Sequence, residues 1–140
     1  MQEYTIKKAA DKEGEKASKG KKTLIVGATT NPERYAYLAA QRLTEHGHPI
    51  VPLGIKKGEV AGQPILDLRE KPKIEGIDTI TMYIGPRHQA EWMDYLISLK
   101  PKRIIFNPGT ENVEFEKKAR EAGIKSEEAC TLVLLSTGQF

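Results

Sequence analysis

One repeated pattern restricts this chain more than any other. Short apolar runs stop at a glycine, or at an asparagine–proline–glycine turn, and most are followed by a stretch with helical spacing. Thr23-Leu24-Ile25-Val26-Gly27, Ile50-Val51-Pro52-Leu53-Gly54, Asp78 to Ile84 and Arg103-Ile104-Ile105-Phe106 are the four main runs. Apolar runs of this length between turn residues read as strands buried on both faces. Pro52 removes one ladder donor, so it is expected near the end of its strand.

Between the runs the spacing becomes helical. Pro32 stands where a helix can begin, with Glu33 and Arg34 in its first turn, Leu38, Ala39 and Leu43 toward the core, and His46-Gly47 closing it. Ala90, Met93, Leu96 and Ile97 mark a helix from about Pro86 to Leu99. Val113, Phe115, Ala119 and Ala122 mark another, closed by Gly123. Gly58, Gly62 and Pro64 signal a loop, with Pro64-Ile65-Leu66 as a short extra strand. A strand is expected from Ile124 to about Glu128. Periodicity alone does not separate strand from helix in Cys130–Ser136; the strand just before it and the stop at Ser136-Thr137-Gly138 favour a short helix.

Strand–helix alternation implies βαβ units, right-handed crossovers and a parallel sheet covered on both faces. The expected fold is α/β: a Rossmann-like, doubly wound sheet of about five parallel strands. In such folds the ligand lies beyond the carboxyl ends of the strands, where the strand order reverses. Four loops therefore carry the functional candidates: Gly27–Glu33, Gly54–Gly62, Gly85–His88 and Asn107–Asn112.

The first loop, Gly27-Ala28-Thr29-Thr30-Asn31-Pro32, joins a buried strand to a helix start. Free backbone N–H groups and the helix dipole favour an anion there, and Arg34 can pair with a phosphate oxygen. The dinucleotide pattern G-x-G-x-x-G is not met, because Thr29 and Pro32 hold the second and third glycine positions. An NAD-type fold also places an acid at the end of its second strand. Here Lys56 and Lys57 follow instead, with no carboxylate before Glu59, which suits a further phosphate on the ribose.

Composition excludes other classes. The 140 residues allow one domain. No apolar stretch exceeds about six residues, and no signal-peptide segment opens the chain. The formal charge of +3 falls wholly in residues 1–22, which hold seven lysines and four acids; the remainder balances. These residues have little apolar surface, so a flexible lysine-rich tail (1–22) is expected ahead of a domain at 23–140. Nucleic-acid and membrane partners are not expected, and neither is a metal site: Cys130 is the single cysteine, and His46, His48 and His88 lack zinc-site spacing. Trp92 reads as packing, Cys130 as a buried thiol, and His88 lacks a neighbouring nucleophile or carboxylate.

Together GATTNPERYAYLAAQRLTEHGHPIVPLG, GQPI, DTITMYIGP, FNPGTEN, KKAREAG and EEACTLVLL resemble the stand-alone CoA-binding domain family, over about residues 22–138. These single-domain proteins are similar to the N-terminal domain of the succinyl-CoA synthetase α chain. The most specific segments are G-A-T-T-N-P-E-R-Y at 27–35 and H-G-H-P-I-V-P at 46–52. The resemblance implies binding of coenzyme A or an acyl-CoA in the cytoplasm, without ligase catalysis, since the synthetase's phosphorylated histidine belongs to a second domain. It places Gly27, Ala28 and Thr29 at the CoA pyrophosphate with Asn31, Pro32 and Arg34 beside them. Lys56 falls near the ribose 3′-phosphate, and Ile84, Gly85 and Pro86 along the adenine and pantetheine side. Asn107, Gly109 and Glu111 follow the fourth strand. Two alternatives stay open: a nicotinamide-nucleotide regulatory module, and a CoA-binding subunit, homodimeric or joined to a separate catalytic chain.

Overall fold

The computed structural model describes residues 20–140. The expected tail therefore falls mostly outside the described residues. Its last two are tied to the domain: the Lys21 N–H donates to His48 Nδ1 (2.9 Å), and the Lys22 carbonyl accepts the Asp78 N–H (2.9 Å). Burial, with the Lys21 charge beside it, holds the His48 imidazole below its usual pKa and so in the neutral form that accepts this bond.

The elements are β1 (Thr23–Val26), α1 (Tyr35–Glu45), β2 (Ile50–Gly54), β3 (Glu59–Val60), β4 (Gln63–Pro64), β5 (Leu66–Asp67), β6 (Thr79–Met82), α2 (Met93–Ser98), β7 (Arg103–Phe106), α3 (Val113–Glu121), β8 (Lys125–Glu128) and α4 (Thr131–Ser136). Six strands form one parallel sheet in the order β5-β2-β1-β6-β7-β8. This is the expected doubly wound α/β fold with one strand more than the five expected. The sixth is β5, which overlaps the short extra strand expected at Pro64-Ile65-Leu66 only at Leu66, while Pro64 falls in β4. β3 and β4 form a separate antiparallel hairpin where a loop was expected.

Side chains along the central strands alternate between two cores, as the period of two demands. Leu24 and Val26 pack with Ile80, Met82, Ile104, Phe106 and Phe115 on the face of α2 and α3. Ile25 packs with Ala36, Ala40, Leu43 and Leu135 on the face of α1 and α4. Fully burying each large aliphatic side chain favours the fold by about 1.5–3 kcal/mol.

Several boundaries differ from expectation. Pro52 sits mid-strand, opposite Ile25. The Pro49 and Leu53 carbonyls both point at β1, so the missing Pro52 donor faces the other side, where β5 begins only at Leu53. The third strand is the shorter Thr79–Met82. The segment from Pro86 starts as two 3₁₀ turns, Pro86–His88 and Ala90–Trp92, before α2. Helix α1 begins at Tyr35 rather than Pro32, which makes Arg34 its N-cap. The last segment is the expected short helix.

Candidate phosphate-binding crevice

The strand order turns back between β1 and β6, so the crevice of this fold lies above their carboxyl ends. Gly27 closes β1 at φ +100°, a conformation open to glycine and strained for other residues. A Cβ there would stand 3.0 Å from Ile84 Cγ2 and 3.1 Å from the Tyr83 carbonyl carbon, so the first and third loops touch at this point. Gly54 approaches as closely from β2: a Cβ on it would meet the Ala28 carbonyl oxygen at 2.6 Å. Gly58 carries the lysine loop onto the first loop, where a Cβ would meet Thr30 Cγ2 at 2.5 Å. Three glycines thus bring Ala28, Thr30, the Lys56–Lys57 segment and Ile84 around one depression.

The donors of the first loop divide into two sets. The Gly27 and Ala28 N–H groups both donate to the Leu53 carbonyl (2.9 and 3.1 Å), which fixes the turn to β2. The Asn31 N–H donates to Thr29 Oγ1 (3.1 Å), the Glu33 N–H to Asn31 Oδ1 (3.0 Å), and the Arg34 N–H to the Asn31 carbonyl (3.1 Å). The second set comprises Thr29, Thr30, Tyr35 and Ala36, whose N–H groups have no acceptor among the described residues. Helix α1 lacks a side-chain cap and has no acid in its first turn. An uncapped helix start with several open N–H groups is the arrangement that accommodates a phosphate, so the residues present fit a pyrophosphate. Pro32 and the Arg34 side chain are exposed beside it.

The other expected residues are distributed unevenly. Lys56 is exposed on the loop after β2. That loop is braced from below: Arg69 Nη2 donates to the Ile55 carbonyl (3.3 Å), while Arg69 is paired with Asp67 (Nε–Oδ1 3.0 Å). The Arg69 hydrogen bonds hold the Asp67 carboxyl below its usual pKa. Ile84 packs against the core of the α2 and α3 face, and its carbonyl accepts from Gln89 Nε2 (2.9 Å). Gly85 caps the first 3₁₀ turn with open space where a Cβ would be, and Pro86 is exposed.

Asn107 lies one layer deeper and is buried. Its Nδ2 donates to Thr81 Oγ1 and to the Met82 carbonyl, both at 2.8 Å. Its Oδ1 accepts the Thr131 N–H at 2.8 Å, and the Thr81 and Thr131 hydroxyls share a 2.8 Å bond. Both amide donors are thereby used inside the protein. Gly109 (φ +92°) donates its N–H to Glu111 Oε1 at 2.9 Å; both are exposed. Gln89 completes the frame: it is buried, bridges the Ile84 and Thr110 carbonyls, and accepts from Asn112 Nδ2 (3.0 Å). Gln89, Thr81, Thr110, Asn112 and Thr131 were not among the expected site residues. A buried polar residue inside an apolar run gives no sequence signal of its distant partner. The Tyr83 hydroxyl is buried beside Thr81 and Thr131 without reaching hydrogen-bond geometry to either, and burial pushes its pKa up to about 12.

His88 is exposed, and Cys130 is partly buried at the start of α4. No group of three or more metal-ligating side chains gathers among the described residues. No helix among them is long and apolar enough to cross a membrane.

A six-stranded parallel sheet with helices on both faces defines a Rossmann-like α/β class of domain. Comparison narrows the class. The family model described as CoA binding domain matches residues 21–136, and the chain belongs to that family. A crystal structure of an uncharacterized protein is similar at 56% identity and a TM-score of 0.84, covering 88% of this chain and 100% of its own. A hypothetical protein from Pyrococcus horikoshii OT3 is similar at 28% identity and 0.74, covering 85% of this chain and 84% of its own. A protein from Thermus thermophilus, at 24% identity and 0.73 over 86% of this chain and 91% of its own, shares the fold. The search of curated proteins returned no match. Membership of the family supports binding of CoA in general.

Proposed function

We propose that this domain binds coenzyme A or an acyl-CoA as a stand-alone module, with the pyrophosphate on the loop after β1 and no catalytic group of its own. The observation that carries this reading is the open set of donors at Thr29, Thr30, Tyr35 and Ala36, gathered at an uncapped helix start. Arg34 adds a mobile charge at the rim. Lys56 and Lys57 face the ribose 3′-phosphate, the group that separates CoA from dephospho-CoA. Ile84, Gly85 and Pro86 border the adenine and pantetheine side. Gly109 and Glu111 contribute at the edge, while Asn107 acts from beneath by holding β6, β7 and the start of α4 in register.

The test is thermal stabilisation of the full chain by CoA against NAD. A ligand that binds only the folded state stabilises it by about 2.7 kcal/mol at a hundredfold excess over its dissociation constant. CoA is expected to raise the melting temperature several-fold more than NAD at equal concentration. No shift with CoA at millimolar concentration, or a larger shift with NAD, overturns the reading.

A further inference from the structure

At the amino end of the sheet, opposite the crevice, lies a cavity of about 990 Å³. It opens between the entry to β1, the segment 71–78 and the end of α2. Ile74, Ile77, Tyr95 and Leu99 supply apolar lining. Six lysines line it, Lys21, Lys22, Lys71, Lys73, Lys100 and Lys102, against the two acids Glu75 and Asp78. Asp78 is already engaged by the Thr79 hydroxyl (2.7 Å) and lies 3.9 Å from Lys102 Nζ. Lys21 and Lys22 donate to the Phe140 and Glu75 carbonyls at 2.6 and 2.7 Å. Lys73 and Lys100 make no ion pair with another described residue.

The backbone adds an independent observation. Among the described residues three that are not glycine have positive φ, and two of them, Lys71 (+47°) and Lys100 (+55°), line this cavity. Glycine adopts this conformation freely and a lysine is strained in it. Two lysines in left-handed backbone, from different segments, thus stand at one concavity.

We propose that this cavity is a second anion site, separate from the CoA crevice, that takes a small phosphate-rich anion with its body against the apolar lining. The volume falls in the range of small-molecule sites. The lysines ring a hollow instead of following a stripe along the surface, as an extended polyanion would require. An excess of lysines around one concavity gives it a positive field and suits a multiply charged ligand, which needs no planar fork.

The test is calorimetric titration of the full chain, its first crevice kept saturated with CoA, with inorganic tripolyphosphate, at low ionic strength and again at about 0.15 M salt. Saturable one-to-one binding is expected, weakened by salt. Trp92, the single tryptophan, stands 5.9 Å from Lys71 Nζ at its ring centroid and gives an independent fluorescence readout. The pair Lys73→Ala with Lys100→Gly should weaken tripolyphosphate binding at least about tenfold. Lys100→Gly alone should raise the melting temperature by about 2–5 °C through relief of strain. Arg34→Ala, in the other site, should change tripolyphosphate affinity less than about twofold. The proposal is overturned by absence of saturable binding, by binding that survives the lysine pair variant, or by loss in Arg34→Ala alone. Tighter binding of anionic vesicles or a single-stranded oligonucleotide than of tripolyphosphate would also overturn it.

Discussion

The loops after β1 and β7 make an instructive pair. Both follow a buried central strand, both pass through a positive-φ glycine, and both lead into a helix. The second is closed more fully from within, although the Glu111, Val113 and Glu114 N–H groups have no acceptor among the described residues. Asn112 caps α3 by accepting the Phe115 N–H (3.1 Å), and its own N–H donates to Glu116 Oε2 (3.2 Å). Thr110 closes on the Asn107 carbonyl, and both donors of Asn107 are used. The first loop has an arginine at the N-cap with no capping bond, and four N–H groups without an acceptor among the described residues. The two loops thus differ in how their helix starts are capped: α3 by a side chain, α1 by none.

The contrast predicts opposite phenotypes. The largest effect is expected at Asn107. Replacing it by alanine removes three buried side-chain bonds, leaving the Thr131 N–H without its acceptor and Thr81 Oγ1 and the Met82 carbonyl each one donor short. Unsatisfied buried groups cost about 1–3 kcal/mol each before relaxation, so Asn107→Ala should lower the melting temperature by about 10 °C or more. A loss of CoA affinity with unchanged stability would reverse the roles assigned to the two loops.

Gly27→Ala should show both effects at once. The added methyl is strained at φ +100° and presses on Ile84 and the Tyr83 backbone, a cost of about 1–2 kcal/mol. Chemical denaturation should report that loss, and the displaced turn should weaken CoA binding. Unchanged stability would mean that the loop adjusts freely.

Arg34→Ala should affect ligand alone. Its exposed side chain has no capping bond, so the melting temperature should stay within about 2 °C. Loss of a charge-assisted contact should cost about 1.4 kcal/mol, or tenfold in CoA affinity. Equal CoA binding in this variant would remove the arginine from the site.

The smallest effect is expected at the exposed lysine loop. Lys56→Ala with Lys57→Ala should abolish a several-fold preference for CoA over dephospho-CoA, worth about 1 kcal/mol and reduced by salt. Equal loss of both ligands would instead assign these lysines to loop structure.

Much of this was legible in the chain. The four main strands and the glycine turn after β1 follow from signals carried within a few residues. What was not legible depends on distant pairing. The short strand expected at Pro64-Ile65-Leu66 is displaced to Leu66–Asp67 because those two residues meet Leu53 and Gly54. The internal bonds of Asn107 were not legible because nothing local reveals that Thr81 and Thr131, 50 residues apart, converge on it. The start of α1 moved from Pro32 to Tyr35 because Asn31 holds the Glu33 and Arg34 N–H groups in a turn of its own. That local competition delays the helix and leaves its first N–H groups open.

The most direct test of the phosphate-loop assignment is a nuclear magnetic resonance titration of backbone amides with CoA. The largest shifts should fall on Thr29, Thr30, Tyr35 and Ala36, with smaller ones at Lys56, Lys57 and Gly85 and little change at Phe115 and Glu116 under the capped start of α3. Shifts centred on Asn107–Asn112, shifts confined to the lysine-lined cavity, or none at millimolar CoA would contradict it.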